Sequence, residues 1–308
     1  MQSPTTDVSE VSTTPQPTTP PPCLTERFVQ ERKYLKSVAE KTLAWYGHSF
    51  HAFRGAMESK AMIGARITEL RQRGVSATSV NTYLRTVNAY FRWMHTEGHA
   101  SELIHIPRLK EEQKVLATLT PEQVQRLIQF KPREKYEHRI HTLAMLLLDS
   151  GMRIDEALSL RRHDVDLDNL LVKLHGKGQR ERIVPISAEC RKVLWKYQNR
   201  PGAPSARQDS LVFSTRTGTK LLQRNLLREF HALGDRLKIT GVRFSFHTMR
   251  HTFAVNYIRN GGDVFRLQRI LGHSSLEMTR RYVNLQTSDL QAVHDRLSPL
   301  AHVERGSR

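Results

Sequence analysis

The sequence has few of the features that mark secreted or membrane-spanning proteins. Cys23 and Cys190 are its only cysteines, and Cys23 adjoins a low-complexity segment, so we expect no structural disulfide and a reducing compartment. The longest apolar stretch, LAMLLL at 143–148, is much shorter than the ~18–20 residues of a membrane span. The first 22 residues are polar and proline-rich, unlike a secretory signal peptide. These absences favour a cytoplasmic protein with no membrane partner.

Acidic residues and metal-binding patterns are also scarce. The chain has 30 Asp and Glu against 48 Lys and Arg, and no acidic cluster has a spacing that suggests a two-metal nuclease. His247 and His251 are four residues apart, but the zinc-protease pattern needs Glu directly after the first histidine, and Thr248 stands there. We therefore predict no metal site and no cofactor, and we interpret His251 as a structural histidine.

Positive charge is what the sequence has in excess. The formal net charge is +18 and the isoelectric point is near 10.3. Such a charge attracts polyanions, of which nucleic acid is the usual one. Charge alone leaves DNA and RNA equally open, and a merely basic protein remains an alternative.

Helical periodicity dominates the first third of the chain. Between residues 76 and 98 apolar residues recur at helical spacing and Gly98 is a natural stop; they are Val80, Leu84, Val87, Phe91 and Met94. Arg85 and Arg92 lie on one stripe of this helix, which predicts either a solvated face or a DNA-facing one. The tryptophans Trp45, Trp93 and Trp195 are expected in the core.

A second domain is predicted from residue 120 onward. Thr120, Pro121 and Gln123 form a helix-start signature, and a later helix should end at Ser150–Gly151. Alternating apolar positions around a Gly-Lys-Gly turn predict a β-hairpin over 170–186. Arg180 and Arg182 flank its tip, where contact with DNA phosphates and mere exposed charge are both open.

Four stretches carry the chemistry: DSGMRIDEALSL, HGKGQRERIVPI, FHTMRHTFA and ILGHSSLEMTRRY. Each is weak alone, but in this order and spacing they resemble the tyrosine recombinase family of phage integrases and Xer-type recombinases. The resemblance implies a mainly α fold with a small β-sheet or hairpin, arranged as a two-domain clamp on DNA. It implies a helical core-binding (SAM-like) domain over 24–108 and a catalytic domain over 116–298. A disordered tail rich in Pro, Ser and Thr (1–22) and a flexible tail (299–308) complete the predicted organisation.

The resemblance also assigns site residues. It places the catalytic set at Arg153, Lys177, His247, Arg250, His273 and Tyr282. The family's glutamate, three residues after the first arginine, is Glu156. Ser150 and Met249 stand where the family often has Thr and Leu, and neither is a reacting group.

These residue types suit attack on a phosphodiester. Guanidiniums clamp the non-bridging oxygens on which charge develops. A tyrosine with a pKa of ~10 needs a base and nearby cations, and His247 is a plausible base for Tyr282. Lys177 would protonate the leaving oxygen, and His273 would contact the phosphate or position the leaving group.

The function implied is a site-specific DNA recombinase, an integrase or resolvase, working through a 3′-phosphotyrosyl intermediate. Its partner would be double-stranded DNA carrying a recombination site. Four protomers, as a homotetramer or heterotetramer, would pair two such sites in the cytoplasm, at the bacterial nucleoid. A type IB topoisomerase-like enzyme and a non-catalytic DNA-binding protein on the same fold are the alternatives.

Overall fold

The structure, a computed structural model, describes residues 23–111, 117–176, 181–201, 207–273, 275–283 and 294. The chain divides into two compact units, residues 1–113 and 114–308. The finer domain bounds expected from the sequence stay a prediction. Of the helices in the described ranges, none is long and apolar enough to cross a membrane.

The described part of the first unit is helical. Its helices are α1 (Leu24–Tyr34), α2 (Glu40–Ala52), α3 (Lys60–Gln72) and α4 (Ala77–Thr96). The periodic positions predicted for α4 are confirmed: four of them are buried and Met94 is half-buried. Arg85 and Arg92 lie on the opposite, exposed face of α4, because the 3.6-residue period separates them from the apolar stripe.

The tryptophan prediction is right for one residue of three. Trp93 is buried at 4% exposure in an aromatic cluster with Phe28 and Tyr90. Trp45 is 36% exposed and Trp195 is 57% exposed, so the expectation that these two are core residues is wrong. A helix has more surface than its core-facing stripe, and large apolar side chains also occupy the remainder.

The second unit surrounds one apolar helix. Its described elements are the helices α5 (Pro121–Gln129), α6 (Lys135–Ser150), α7 (Ile154–Ser159), α8 (Ala188–Asn199), α9 (Gln223–Arg236), α10 (Phe246–Arg259), α11 (Val264–Leu271) and α12 (Glu277–Val283), and the strands β1 (Val165–Asp166), β2 (Leu171–His175) and β3 (Glu181–Pro185). Helix α6 packs against α8, α9 and α10. Residues 140–147 of α6 are all buried, which explains why six of these eight residues are apolar.

The predicted local signals are confirmed where the structure describes them. Thr120 accepts a hydrogen bond from the Gln123 backbone and forms a capping box with its side chain. Strands β2 and β3 pair antiparallel with Val172 opposite Val184, and β1 completes a three-stranded sheet. The hairpin tip, 177–180, lies outside the described residues. The mainly helical fold with a small sheet is thus the fold that the sequence predicts.

A smaller apolar cluster forms where α10, α11 and α12 meet. It contains Ala254, Val255, Ile258, Leu267, Leu271 and Tyr282. The predicted nucleophile is therefore 2% exposed and is positioned by helix packing rather than by a loop.

Gly151 joins this cluster to α6, and its substitution gives a test of the fold. It ends α6 with φ +63°, and a Cβ there would lie 2.3 Å from Cδ1 of Phe253 and 2.9 Å from Cδ2 of Leu271. We expect Gly151→Ala to lower the free energy of unfolding by about 3 kcal/mol, from left-handed strain and overpacking together.

Gly218→Ala is the matched control, because Gly218 has φ +81° with nothing within 4 Å of its added Cβ. Gly218→Ala should lower the free energy of unfolding by about 1 kcal/mol, from the strain of the left-handed backbone conformation alone. Urea denaturation measures both. Equal losses in the two variants would contradict the packing assigned to Gly151.

Candidate active site

The C-terminal turn of α11 organises the site. Gly272 has φ +62°; its N–H donates to Arg269 O, and the N–H of His273 donates to Gln268 O. This is the Schellman pattern that commonly ends helices at glycine. Within the described ranges, no backbone N–H donates to the next three carbonyls, of residues 270, 271 and 272, which are therefore available to side chains.

Each of these three carbonyls accepts a hydrogen bond from a different arginine. Arg182 Nε donates to Ile270 O at 2.8 Å, Arg250 Nη2 to Leu271 O at 2.7 Å, and Arg153 Nη2 to Gly272 O at 3.0 Å. The negative end of a helix favours cations. The turn therefore gathers three guanidiniums, from β3, α10 and the start of α7, around one short piece of backbone.

Glu156 balances part of this positive charge. Its two carboxylate oxygens accept hydrogen bonds from Arg182 Nη1 and Nη2 at 2.7 and 2.8 Å. They also accept hydrogen bonds from the backbone N–H of Arg153 at 2.7 Å and from its guanidinium at 3.2 Å. Burial raises the pKa of the Glu156 carboxyl, but the bonds from Arg182 and Arg153 outweigh it, so the pKa lies below its usual value.

The two arginines predicted to bind phosphate differ in exposure. Arg250 is 6% exposed and also donates to Gly151 O at 2.7 Å. Burial and the neighbouring Arg153 lower its pKa to about 10, so it stays charged at neutral pH. The side chain of Arg153 is 41% exposed and lines an open cleft of about 1690 Å³, which His273 also lines. Since each Nη carries two N–H groups, both guanidiniums retain donors beyond their carbonyl partners.

Tyr282 lies between two histidines. Its hydroxyl oxygen is 2.8 Å from Nδ1 of His251, and its ring is nearly parallel to that of His273, at an interplanar angle of 9° and a centroid distance of 6.4 Å. His273 Nδ1 is 2.9 Å from the hydroxyl of the buried Thr279. The Tyr282 hydroxyl is also near enough to Arg250 to affect the pKa of that guanidinium.

The structure brings most of the predicted residues together. Arg153, Arg250, His273 and Tyr282 converge on the α11–α12 turn. His247 is exposed one turn before His251 on α10, with ring centroids 6.5 Å apart. Lys177 and Arg180 lie outside the described residues, as does Ser274, so their placement stays a prediction.

Two residues have a place in the site that sequence reasoning did not give them. His251, interpreted as merely structural, contacts the phenol; its spacing of four from His247 put both on one helix face, which was a usable signal. For Arg182 the sequence left contact with DNA phosphates and mere exposed charge both open. Its side chain is only 14% exposed and bound to Glu156, so the geometry favours a supporting role in the site. Strand alternation places Arg182 on the inward face with Val184.

No group of three or more His, Cys, Asp or Glu side chains in the described ranges is placed to hold a metal ion. The groups that the structure brings to the turn are guanidiniums, imidazoles and a phenol.

Comparison with known proteins identifies related sequences and structures. Residues 117–289 match the phage integrase family. Tyrosine recombinase XerC of Chlamydia trachomatis serovar L2 is 36% identical over 280 residues, which cover 88% of this chain and 87% of that protein. The XerC of Chlamydia pneumoniae is 27% identical over 280 residues, 89% of each chain.

Solved structures show the same fold at lower identity. The Tn1549 transposon integrase in complex with circular intermediate DNA has a TM-score of 0.72 and 20% identity, covering 89% of this chain and 99% of that one. A lambda integrase dimer bound to a COC′ core site has a TM-score of 0.66 and 17% identity, covering 86% and 95%.

The chain therefore belongs to the phage integrase family. Within that family it is a tyrosine recombinase, an enzyme of site-specific DNA recombination, as the sequence resemblance predicted.

The charge balance around Glu156 gives a test by stability. Because its folded-state pKa is lowered, the carboxylate stabilises the fold fully above about pH 5, and this contribution is lost as pH falls through the folded-state pKa. We expect Glu156→Gln to lower the free energy of unfolding by about 3 kcal/mol at neutral pH, since it leaves buried cations without their counter-charge.

Urea denaturation at pH 7 and pH 3 measures the difference, which should shrink in acid. Glu189→Gln is the control, because Glu189 is 61% exposed in its pair with Lys192 and should change stability little at either pH. A neutral-pH loss no larger than that of the control would contradict the role given to Glu156.

Proposed function

We propose that this protein cuts and rejoins duplex DNA with Tyr282 as the covalent nucleophile and Arg153 and Arg250 as the phosphate-binding cations. The observation that supports it best is the meeting of two guanidiniums, two imidazoles and one phenol at the α11–α12 turn. Those groups match the needs of a phosphoryl transfer that builds negative charge on non-bridging oxygens.

The proposed reaction exchanges one ester for another. The Tyr282 oxygen attacks phosphorus, the bond from phosphorus to the 5′ oxygen breaks, and a 3′-phosphotyrosyl link and a free 5′-hydroxyl result. The link keeps the phosphoester bond, so a 5′-hydroxyl of the same or another strand reverses the step without ATP. The 5′ oxygen needs a proton, which we assign to Lys177 as predicted, with His273 contacting the phosphate beside it.

The geometry favours His251 over His247 as the group that accepts the phenolic proton. A neutral His251 with its own proton on Nε2 accepts the Tyr282 O–H at Nδ1, and the two atoms are 2.8 Å apart. His247, which the sequence favoured, lies exposed on the same helix face. At this exposed position the His247 imidazole is suited to contact a DNA phosphate.

Duplex DNA is the proposed partner. The net charge of +18 suits a polyanion, and a transposon integrase and lambda integrase with the same fold are bound to DNA in their structures. We propose that the exposed Arg85 and Arg92 of α4, together with Arg180, contact backbone phosphates. We further propose four protomers pairing two sites, at the nucleoid in the cytoplasm of a bacterial cell.

The nucleophile is tested by trapping the covalent complex. The wild-type protein mixed with labelled DNA carrying its site and stopped with detergent should give a protein–DNA adduct. Tyr282→Phe should give none, because the variant keeps the ring and lacks the attacking oxygen.

Tyr257→Phe is the matched control, since Tyr257 is another tyrosine of the same unit. This variant keeps Tyr282 and should still form the adduct. Exchange of strands between two labelled sites, rather than relaxation of supercoils alone, separates recombination from topoisomerase-like activity. An adduct formed equally by Tyr282→Phe would refute the assignment.

The proton acceptor is tested by comparing two histidine variants. We expect His251→Leu to slow adduct formation by about 100-fold near neutral pH, the usual effect of removing a general base. His247→Leu should slow it less. Raising the pH should partly restore His251→Leu, because the phenol then ionises without a base. If His247→Leu slowed adduct formation more than His251→Leu, and high pH did not restore His251→Leu, His247 would be the proton acceptor.

A further inference from the structure

We propose that Arg182 is a positioning residue for the phosphate-binding Arg153, acting through Glu156 and through the α11–α12 turn. This inference rests on the proposed function, since it concerns the guanidinium assigned to the scissile phosphate. Arg182 itself need not touch DNA in this role.

Every nitrogen of the Arg182 guanidinium has a partner inside the site. Nη1 and Nη2 bind the two oxygens of Glu156 at 2.7 and 2.8 Å, and Nε binds Ile270 O at 2.8 Å. The side chains of Arg182 and Glu156 are only 14% and 7% exposed. A fork-shaped bidentate pair of this kind fixes the plane of the carboxylate as well as its distance.

Arg153 is bound to the same carboxylate and to a different carbonyl of the same turn. Its backbone N–H and Nη1 bind Glu156, and its Nη2 binds Gly272 O, two residues after the Arg182 contact at Ile270. Arg182 therefore helps to fix both groups that hold Arg153, the Glu156 carboxylate and the turn that contains Gly272. Without Arg182, the buried carboxylate keeps one cation instead of two, and we expect it to turn toward Arg153 and draw that guanidinium away from the cleft.

Close packing supports the same conclusion. A Cβ added at Gly272 would lie 3.0 Å from Nη1 of Arg182 and 3.1 Å from its Cζ. The guanidinium thus lies directly under the turn that carries His273. Since Arg182 belongs to β3, it also ties the strand that follows the Lys177 hairpin tip to that turn.

The decisive measurement compares two substrates. A methylphosphonate at the scissile position replaces one charged oxygen by a methyl group, so it depends less on guanidinium neutralisation than the natural diester does. The readout is the ratio of the single-turnover rates of adduct formation on the diester and on the methylphosphonate. A variant that only weakens folding lowers both rates and leaves their ratio unchanged.

We expect Arg182→Gln to slow cleavage of the diester by about 100-fold, the order of effect that a misplacement near 1 Å produces. The rate ratio should fall in the same direction as in Arg153→Gln, while DNA affinity stays near wild type. Arg182→Lys keeps the charge but not the fork, and its ratio should fall too. This second variant gives the readout if Arg182→Gln is too unstable to assay.

Arg139→Gln is the matched control. Arg139 forms a similar two-bond pair with Glu229 at 2.7 and 2.8 Å, with side chains 22% and 27% exposed, near the opposite end of α6 from Gly151. It should lose stability and keep the wild-type ratio. A wild-type ratio in both Arg182 variants would overturn the inference, whereas failure of the wild-type protein itself to form the Tyr282 adduct would overturn the proposed function instead.

Discussion

Three consecutive backbone carbonyls at the end of α11 hold the site together. Guanidiniums repel one another, and burial of Arg250 beside Arg153 already lowers its pKa to about 10. They remain together because the end of α11 presents carbonyl oxygens that carry partial negative charge. Glu156 adds a full negative charge. The Schellman turn at Gly272 makes this possible, since among the described residues its backbone donors bind two other carbonyls and the arginines bind these three.

The same turn couples the cations to the phenol. The carbonyl of Leu271 accepts a hydrogen bond from Arg250, and the side chain of Leu271 packs in the apolar cluster that contains Tyr282. Displacement of this one residue would therefore move both halves of the site. A side chain on a packed helix is more precisely placed than one on a free loop. The buried phenol is also within hydrogen-bond distance of His251.

Much of this could be predicted from the sequence, for identifiable reasons. The helix end at Gly151, the capping box at Thr120 and the β-hairpin follow from local chemistry. The four motifs gave Arg153, Arg250, His273 and Tyr282, which meet at the turn. The partnership of Glu156 with Arg182 spans 26 residues and depends on strand register against a helix, which no local pattern encodes. The choice between His247 and His251 depends on where α12 packs, a tertiary fact. The exposure of Trp195 was missed because size and apolarity favour burial without requiring it.

The two arginines proposed to bind phosphate are held by different means, and the difference suits different tasks. Arg250 is fixed by two backbone carbonyls, Gly151 O and Leu271 O, and is almost wholly buried, so its position follows from the fold itself. Arg153 is 41% exposed and depends on a carboxylate that is itself held by another side chain. In the proposed reaction, the exposed Arg153 would adjust to a phosphodiester that enters from the cleft, and the buried Arg250 would bind it at a fixed position. Gly151 links the two arginines, since its carbonyl accepts a hydrogen bond from Arg250 and Arg153 follows it by two residues.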